Sequence, residues 1–410
     1  MDIRPILSTL SRHKITAWLV IIEIALTCAI ICNAVFLISQ RLDRMSMSSG
    51  IAEHELVAIQ VANIHDRPDI KARTQEDLTA LRQIPGVAQV SLASQLPFGG
   101  ASSNTDIKLD PTQKLATLSA TMYSGENLLE TLGTELVAGR SLQADDFRDV
   151  DEVYKAAAGG DPNDKALPHV LVITQAMAER LWPGKSALGR KIYFKDVPLT
   201  VVGVIAHLVR PNNLSLGVEY SLVLPMRQFT GEGNTFLIRT APQDRDRVLK
   251  AALAALQALD PKRVVLDKRT WDEVREEFFQ NDRAMAGLLA SVCVALLVVT
   301  ALGIVGLASF WVSQRRRMIG VRRALGATRS NILHYFQTEN FLLTTIGIAL
   351  GMVLAYGINL FLMLHYELPR LPGIYFPVGA LLLWLIGQAA VLGPALRAAA
   401  VPPVVATRSV

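Results

Sequence analysis

The chain has 410 residues, of which 51% are apolar and 19% charged, and its formal net charge is +5. That is too apolar for an ordinary soluble chain and too charged for a bundle of membrane helices alone, so a mixed architecture is expected. The three cysteines, Cys28, Cys32 and Cys293, all lie in apolar runs, so an exported domain would have no disulfide and would rest on a core of ordinary size.

The first apolar run, residues 15–38, follows Arg4, Arg12 and Lys14. It is longer than the roughly 7–15 residue core of a signal peptide, it contains Glu23 and Asn33, and Gln40, Arg41 and Leu42 stand where small cleavage-site residues should be. It therefore reads as an uncleaved anchor. Cys28 and Cys32 are one helical turn apart but have no third ligand, so no metal site is expected there.

A polar stretch from 40 to 284 follows, far longer than a loop. ELVAIQVAN (Glu55 to Asn63) reads as a strand, Thr74 to Gln83 as a helix and VAQVSLA (Val87 to Ala93) as a strand. The same order returns in TFLIR (Thr235 to Arg239), a helix from Gln243 to Leu259, and RVVLD (Arg263 to Asp267). Two βαβ units separated by an insertion at about 100–230 predict a split ferredoxin-like α/β subdomain plus an inserted β-rich part.

Within the insertion, Lys114 to Tyr123 is strand-like and leads into a short helix around Glu126 to Leu132. Val170 to Ile173 runs into a helix at Thr174 to Leu181 with Thr174 as the expected N-cap, and Lys191 to Phe194 with Leu199 to Ile205 reads as a hairpin. Asp149 to Pro168, rich in Ala, Gly and Asp, reads as a mobile loop. Gly184, Lys185 and Ser186 imitate the end of a phosphate-binding loop, but position 179 is Glu179 and the segment follows a helix, so it is a turn. His54, His65, His169 and His207 lack metal-ligand spacing, and no nucleophile elbow occurs. Neither enzymatic activity nor ATP hydrolysis is expected of this chain.

Thr270 and Glu273 form a capping box. No proline follows until long after the second apolar run, so one helix is expected from Trp271 to about Ser313, about 60 Å long; a break near Gln280 to Asp282 is the alternative. The remaining apolar runs lie at 285–312, 341–364 and 376–391. The first two exceed the roughly 20 residues that cross a bilayer, and the last is completed by residues up to Leu396.

Arg315, Arg316, Arg317, Arg322, Arg323 and Arg329 fill the connection after the second run, and Arg397 and Arg408 follow the fourth. These segments and the N-terminus share one side, which the positive-inside rule makes the cytoplasm. In the connection, Met318, Val321, Leu325, Ile332 and Phe336 recur at helical spacing between arginines, predicting a basic amphipathic helix. It would serve either as an interfacial anchor or as a docking surface for a cytoplasmic protein. Glu23 is costly in a bilayer and is expected to face the bundle or a dimer seam. Gly347 and Gly351 form a GxxxG seam for packing within the chain or between copies. Asn359 and Gln388 are expected to bond between helices.

MIGVRRALGATRSNILHYFQTEN, residues 318–340, resembles the signature after the second span of MacB/FtsX-type ABC transporter permeases. VLVITQAMAERLWPGKSALGRKIYF with TVVGVI, and AGRSLQADD before them, resemble the MacB-type periplasmic core. The resemblance implies a mechanotransmission (type VII) permease. Its fold would be four transmembrane helices with a large α/β periplasmic domain of two subdomains. The implied bounds are a cytoplasmic segment 1–14, spans 15–39, 285–313, 337–364 and 376–396, a periplasmic domain 40–284, a coupling helix 314–336, a short outer loop 365–375 and a cytoplasmic tail 397–410.

By that resemblance Met318, Ile319, Gly320, Arg322, Arg323, Ala324, Leu325, Gly326 and Ala327 form the ATPase-docking helix, and Glu339 is the acid entering the third span. Met318 stands where the family usually has an acid. The implied partners are two copies of a cytoplasmic ABC ATPase, a second permease chain (identical or different), a periplasmic adaptor with an outer-membrane channel, and the lipid bilayer; no nucleic acid is expected. ATP and Mg would belong to the ATPase, which is expected on a separate chain because few residues precede the first span. The implied function is ATP-driven export of a periplasmic peptide, antibiotic or lipid-linked substrate toward an outer-membrane route. The alternatives are an FtsX-like regulator of a periplasmic partner and a lipoprotein-releasing permease.

Overall fold

The computed structural model describes residues 14–62, 69–212, 217–229, 233–366 and 369–400. Arg4, Arg12, Asn63, His65 and Arg408 lie outside them. The chain divides into a membrane unit, residues 1–45 and 281–410, and an outer unit, residues 46–280.

Among its described residues the outer unit has a four-stranded and a seven-stranded sheet, together with a two-stranded pairing of Arg148–Asp149 and Met226–Arg227. In the four-stranded sheet the order is Val264–Thr270, Leu56–Ala62, Gly233–Thr240, Val87–Leu92, with every neighbour antiparallel. In chain order this is 4-1-3-2, the ferredoxin-like order predicted from the two split βαβ units. The run Leu56–Ile59 is buried residue by residue because both faces of its sheet are covered. Val57 and Ile59 face the helices Ile70–Arg82 and Arg245–Leu259, whose Leu81, Val248, Ala252 and Leu256 complete one core. Leu56 and Ala58 face a second core with Leu128, Leu132 and Trp271.

The insertion forms a seven-stranded sheet in which six strands close on themselves. Val197–Ile205 pairs with Val170–Thr174, which pairs with Ser221–Leu224, then Leu118–Ser124, Asn104–Lys108 and Lys191–Phe194, and the last returns to Val197–Ile205. Leu136–Gly139 adds to the outside of Val197–Ile205. The predicted hairpin is present, turned by Lys195 and Asp196, with Lys195 at φ +52°. Barrel closure hides strand edges that an open sheet would leave exposed.

Three expectations for this unit are corrected. Residues 149–168 are not a loop throughout: Val150–Gly159 is a helix, because its alanines favour one and Val150, Val153 and Ala156 fall on a single buried face. It stops at Gly160, φ +79°. Thr174 stands at the N-cap of Gln175–Leu181 but its side chain does not cap; its hydroxyl donates instead to the Glu219 carbonyl at 2.5 Å.

The single rod from Trp271 to Ser313 is two helices, Trp271–Phe278 and Gln280–Gln314, broken at Phe279. The Thr270–Glu273 capping box starts the first, with the Thr270 amide donating to Glu273 Oε2 at 2.8 Å. It ends because the buried Phe279 ring is drawn into a cluster with Phe98 and Phe278, centroids 5.2 and 4.9 Å away, under the Arg275 guanidinium. Phe98 takes φ +59° in this cluster.

Among the described residues four helices are long and apolar enough to span: Lys14–Met45, Gln280–Gln314, Arg329–Tyr366 and Tyr375–Ala399. Spans 1 and 3 meet closely at the GxxxG seam. A Cβ on Gly347 would come within 2.8 Å of Ile24, and one on Gly351 within 2.5 Å of the Cys28 side chain. The seam therefore serves packing inside the chain. Asn33 Nδ2 donates to the Ala355 carbonyl at 3.1 Å along the same line.

Span 4 joins through Trp384, whose indole donates to Thr345 and whose ring stacks on Phe341. Gln388 bonds between helices as expected, donating to the Gln337 carbonyl at 3.3 Å. Asn359 does not: its Oδ1 accepts from the Leu371 amide, holding the turn between spans 3 and 4.

Candidate functional site

At the end of span 2 the chain turns at Arg315, which has φ −101° and ψ 9° and so leaves the helical course. A short helix, Arg316–Ala324, follows. The amphipathic helix expected over 314–336 is thus shorter than its apolar spacing suggested. Gly326 at φ +98° stops it: the Gly326 amide donates to the Arg323 carbonyl and the Ala327 amide to the Arg322 carbonyl, which is a Schellman closure. Thr328 then starts span 3, its hydroxyl accepting from the Asn331 amide at 3.2 Å. Ile332 and Phe336 therefore belong to span 3.

The nine residues assigned to docking divide by side. Ile319 and Gly320 are buried, and Ile319 packs with Val312, Ile332, Phe336, Ala395 and Ala399, which fastens the short helix to spans 2, 3 and 4. Arg323 Nη1 donates to the Ala399 carbonyl at 2.9 Å, at the C-terminal end of span 4 where a cation suits the helix dipole. Arg322 lies over the Tyr335 ring at 5.0 Å, and Ala327 is half-buried. Met318, Ala324, Leu325 and Gly326 face outward, with Leu325 83% exposed. Arg316 and Arg317 are exposed beside them.

Beneath the turn, Arg315 reaches Glu339 of span 3. Its Nη1 donates to both carboxylate oxygens, at 3.0 and 2.9 Å, and the two side chains are 8% and 1% exposed. The guanidinium also lies over Trp311, 5.4 Å from the ring centroid. Glu339 thus has its place as the acid of the third span, but Arg315 as its counter-ion escaped sequence reasoning. The signal was available: a carboxylate at membrane depth needs a partner, and Arg315 is the first arginine after span 2. Around the pair, Trp311 Nε1, Asn340 Nδ2, Thr344 Oγ1 and Arg315 Nη2 are buried without hydrogen-bond partners among the described residues.

Spans 1 and 2 meet along a polar line. The Glu23 carboxylate lies against Gly303, where an added Cβ would come within 2.5 Å of Oε2, so Glu23 faces the chain's own second span. One turn outward, Thr27 and Thr300 share a hydrogen bond of 2.8 Å. At the outer end Arg41 pairs with the buried Asp282, and Arg44 stands 3.8 Å from the same carboxylate.

Four membrane-length helices, an α/β domain inserted after the first and a basic helix after the second define an integral-membrane permease with a large outer domain. The MacB-like periplasmic core domain matches residues 19–256, and the FtsX-like permease C-terminal domain matches residues 290–403. The chain belongs to the MacB/FtsX-type ABC transporter permease family.

Among its relatives, the macrolide export ATP-binding/permease protein MacB of Chromobacterium violaceum is 28% identical over 57% of this chain and 34% of that protein. MacB of Campylobacter jejuni is 27% identical over 80% of this chain and 48% of that protein. The chain thus spans between a third and a half of the length of these relatives. The crystal structure of the periplasmic region of MacB from Actinobacillus actinomycetemcomitans aligns with 57% of this chain and 97% of that structure, at 16% identity and a TM-score of 0.35.

Proposed function

We propose that this chain is the permease subunit of an ABC exporter, worked by a separate cytoplasmic ATPase that docks on the Arg316–Ala324 helix. The observation that carries this reading is the division of that helix. Its Ile319 side is bound into three spans, while Met318 and Leu325 stay uncovered between exposed arginines. An exposed apolar side chain ringed by cations suits a partner groove with an acidic rim. The concentration of arginines at this end supports a cytoplasmic position, with the outer unit in the periplasm.

Displacement of the docked helix would reach span 2 through the chain itself, span 3 through Arg315 and Glu339, and span 4 through Arg323. The same bonds that fasten the helix would carry the motion. Two ATPases beneath two permease chains, with a periplasmic substrate handed to an adaptor and outer channel, complete the proposal. ATP and Mg would be held by the ATPase.

The test is reconstitution of the permease with its cognate ATPase in lipid nanodiscs. Leu325→Asp and Arg317→Glu should each abolish the permease-dependent part of ATP hydrolysis while insertion and thermal stability stay at wild-type values. Undiminished stimulation in both variants would remove this helix from the docking role.

A further inference from the structure

The six closed strands of the insertion have a mouth that protein atoms do not fill. A cavity of about 200 Å³ opens there, with Met122, Leu199, Leu224 and Met226 as its floor. The helix Val150–Gly159 roofs it with Val153 and Ala157. Leu199, Leu224 and Met226 are all under 5% exposed, so the floor is continuous with the interior of the closed sheet. The rim is polar: Lys195 and Asp196 at the hairpin turn and Asp161 beyond Gly160 are exposed.

Protein interiors are close-packed, and voids much larger than a water are few. An apolar cavity of roughly 150 Å³ is enough to hold benzene, and the mouths of β-barrels are among the preferred places for small-molecule sites. Two methionines in the floor give a wall that adapts to the shape of its guest. The roof is a short helix ended by Gly159 and Gly160, and Gly160 takes a left-handed φ of +79°, a suitable place for it to swing.

We propose that this cavity is a ligand site for a small amphiphile, its apolar part no larger than a single ring or a short branched chain and its head an ammonium. The volume sets the size of the apolar part. The rim sets the charge: it carries two carboxylates, Asp161 and Asp196, and one ammonium, Lys195, whose Nζ lies 5.9 Å from the Phe194 ring centroid. The site lies entirely within the outer unit and does not depend on the ATPase-docking reading.

The experiment follows the methionine methyl resonances of the full chain in nanodiscs, assigned with Met122→Leu and Met226→Leu, during titration with phenethylamine. The expected result is saturable shifts at Met122 and Met226, with Kd raised at least about tenfold by Ala157→Trp or by the milder Ala157→Leu, both of which fill the roof. Phenylacetate should bind at least about tenfold more weakly than the amine. Shifts that never saturate, or that survive unchanged in both filled variants, overturn the site. Equal affinity for phenylacetate overturns the ammonium assignment.

Discussion

In the outer unit, Arg263 and Asp77 are each 5% exposed and bond at 2.6 Å, tying the helix Ile70–Arg82 to the start of the strand Val264–Thr270. In the membrane unit, Arg315 and Glu339 are nearly as buried, but the elements they tie are a helix junction and a span. Burial pushes the Asp77 carboxyl above the ordinary aspartate value against the pull of Arg263, whose Nη1 also donates to the Leu256 carbonyl. That pair closes a finished fold. At that pair one buried donor, Arg263 Nε, lacks a partner among the described residues, whereas around Arg315 there are four such atoms, on Trp311, Asn340, Thr344 and Arg315 itself. A junction with open donors and acceptors can exchange bonds as it moves, which a tightly bonded staple cannot do without breaking. Under the proposed coupling, the same chemistry serves folding in one region and would serve motion in the other.

Breaking the outer staple should have the largest effect on stability. Asp77→Ala leaves Arg263 buried and uncompensated, at a cost of about 3–5 kcal/mol. Hydrogen exchange should show the four-stranded subdomain losing protection while the spans keep theirs; a loss under about 1 kcal/mol would reduce the pair to decoration. Glu339→Gln should cost less, about 1.5–3 kcal/mol, since the amide oxygen still accepts from Arg315. Its larger consequence should be mechanical: ATPase stimulation falls although the outer unit melts as before. Full stimulation in Glu339→Gln would mean that the junction transmits nothing through this pair.

Gly351→Ala probes the rigid side of the membrane unit. The new methyl meets Cys28 at 2.5 Å and the Ala25 carbonyl at 2.7 Å, so overpacking should cost about 1–3 kcal/mol, read as a lower melting temperature in nanodiscs. If the variant melts like the wild type, spans 1 and 3 are free to part at this seam.

Much of this division was legible in the sequence. Spans are set by long apolar runs, and the ferredoxin-like sheet by two repeats of strand, helix, strand, so both could be read from local patterns. Closure of the six strands was hidden, because pairing Asn104–Lys108 with Lys191–Phe194, and Val170–Thr174 with Val197–Ile205, are long-range choices no local pattern records. The short arginine helix was misread by following Leu325, Ile332 and Phe336 through Gly326, where a left-handed glycine and Thr328 mark a stop and a new start. Phe279 broke the expected rod for a tertiary reason: its ring has somewhere better to go than the helix course. Which of the residues proposed for docking face outward likewise depends on the spans beneath them.

A third ion pair supplies the solvated reference for the comparison. Arg140 donates to both Asp146 oxygens, at 2.6 and 3.1 Å, but with side chains 38% and 15% exposed. The bond to Arg140 holds the Asp146 carboxyl below the ordinary aspartate value, helped by the Gln143 amide. A depressed value in the folded state means that the stabilisation is complete above the unfolded aspartate pKa and is lost as pH falls through the folded one. With water screening the pair, Asp146→Asn should cost only about 0.5–1 kcal/mol at neutral pH. Urea denaturation of the outer unit, followed in the full chain by hydrogen exchange, should show that gap narrowing once pH drops below the aspartate range. A gap that stays constant down to the acid transition would show that the geometry of Asp146, and not its charge, holds this corner together.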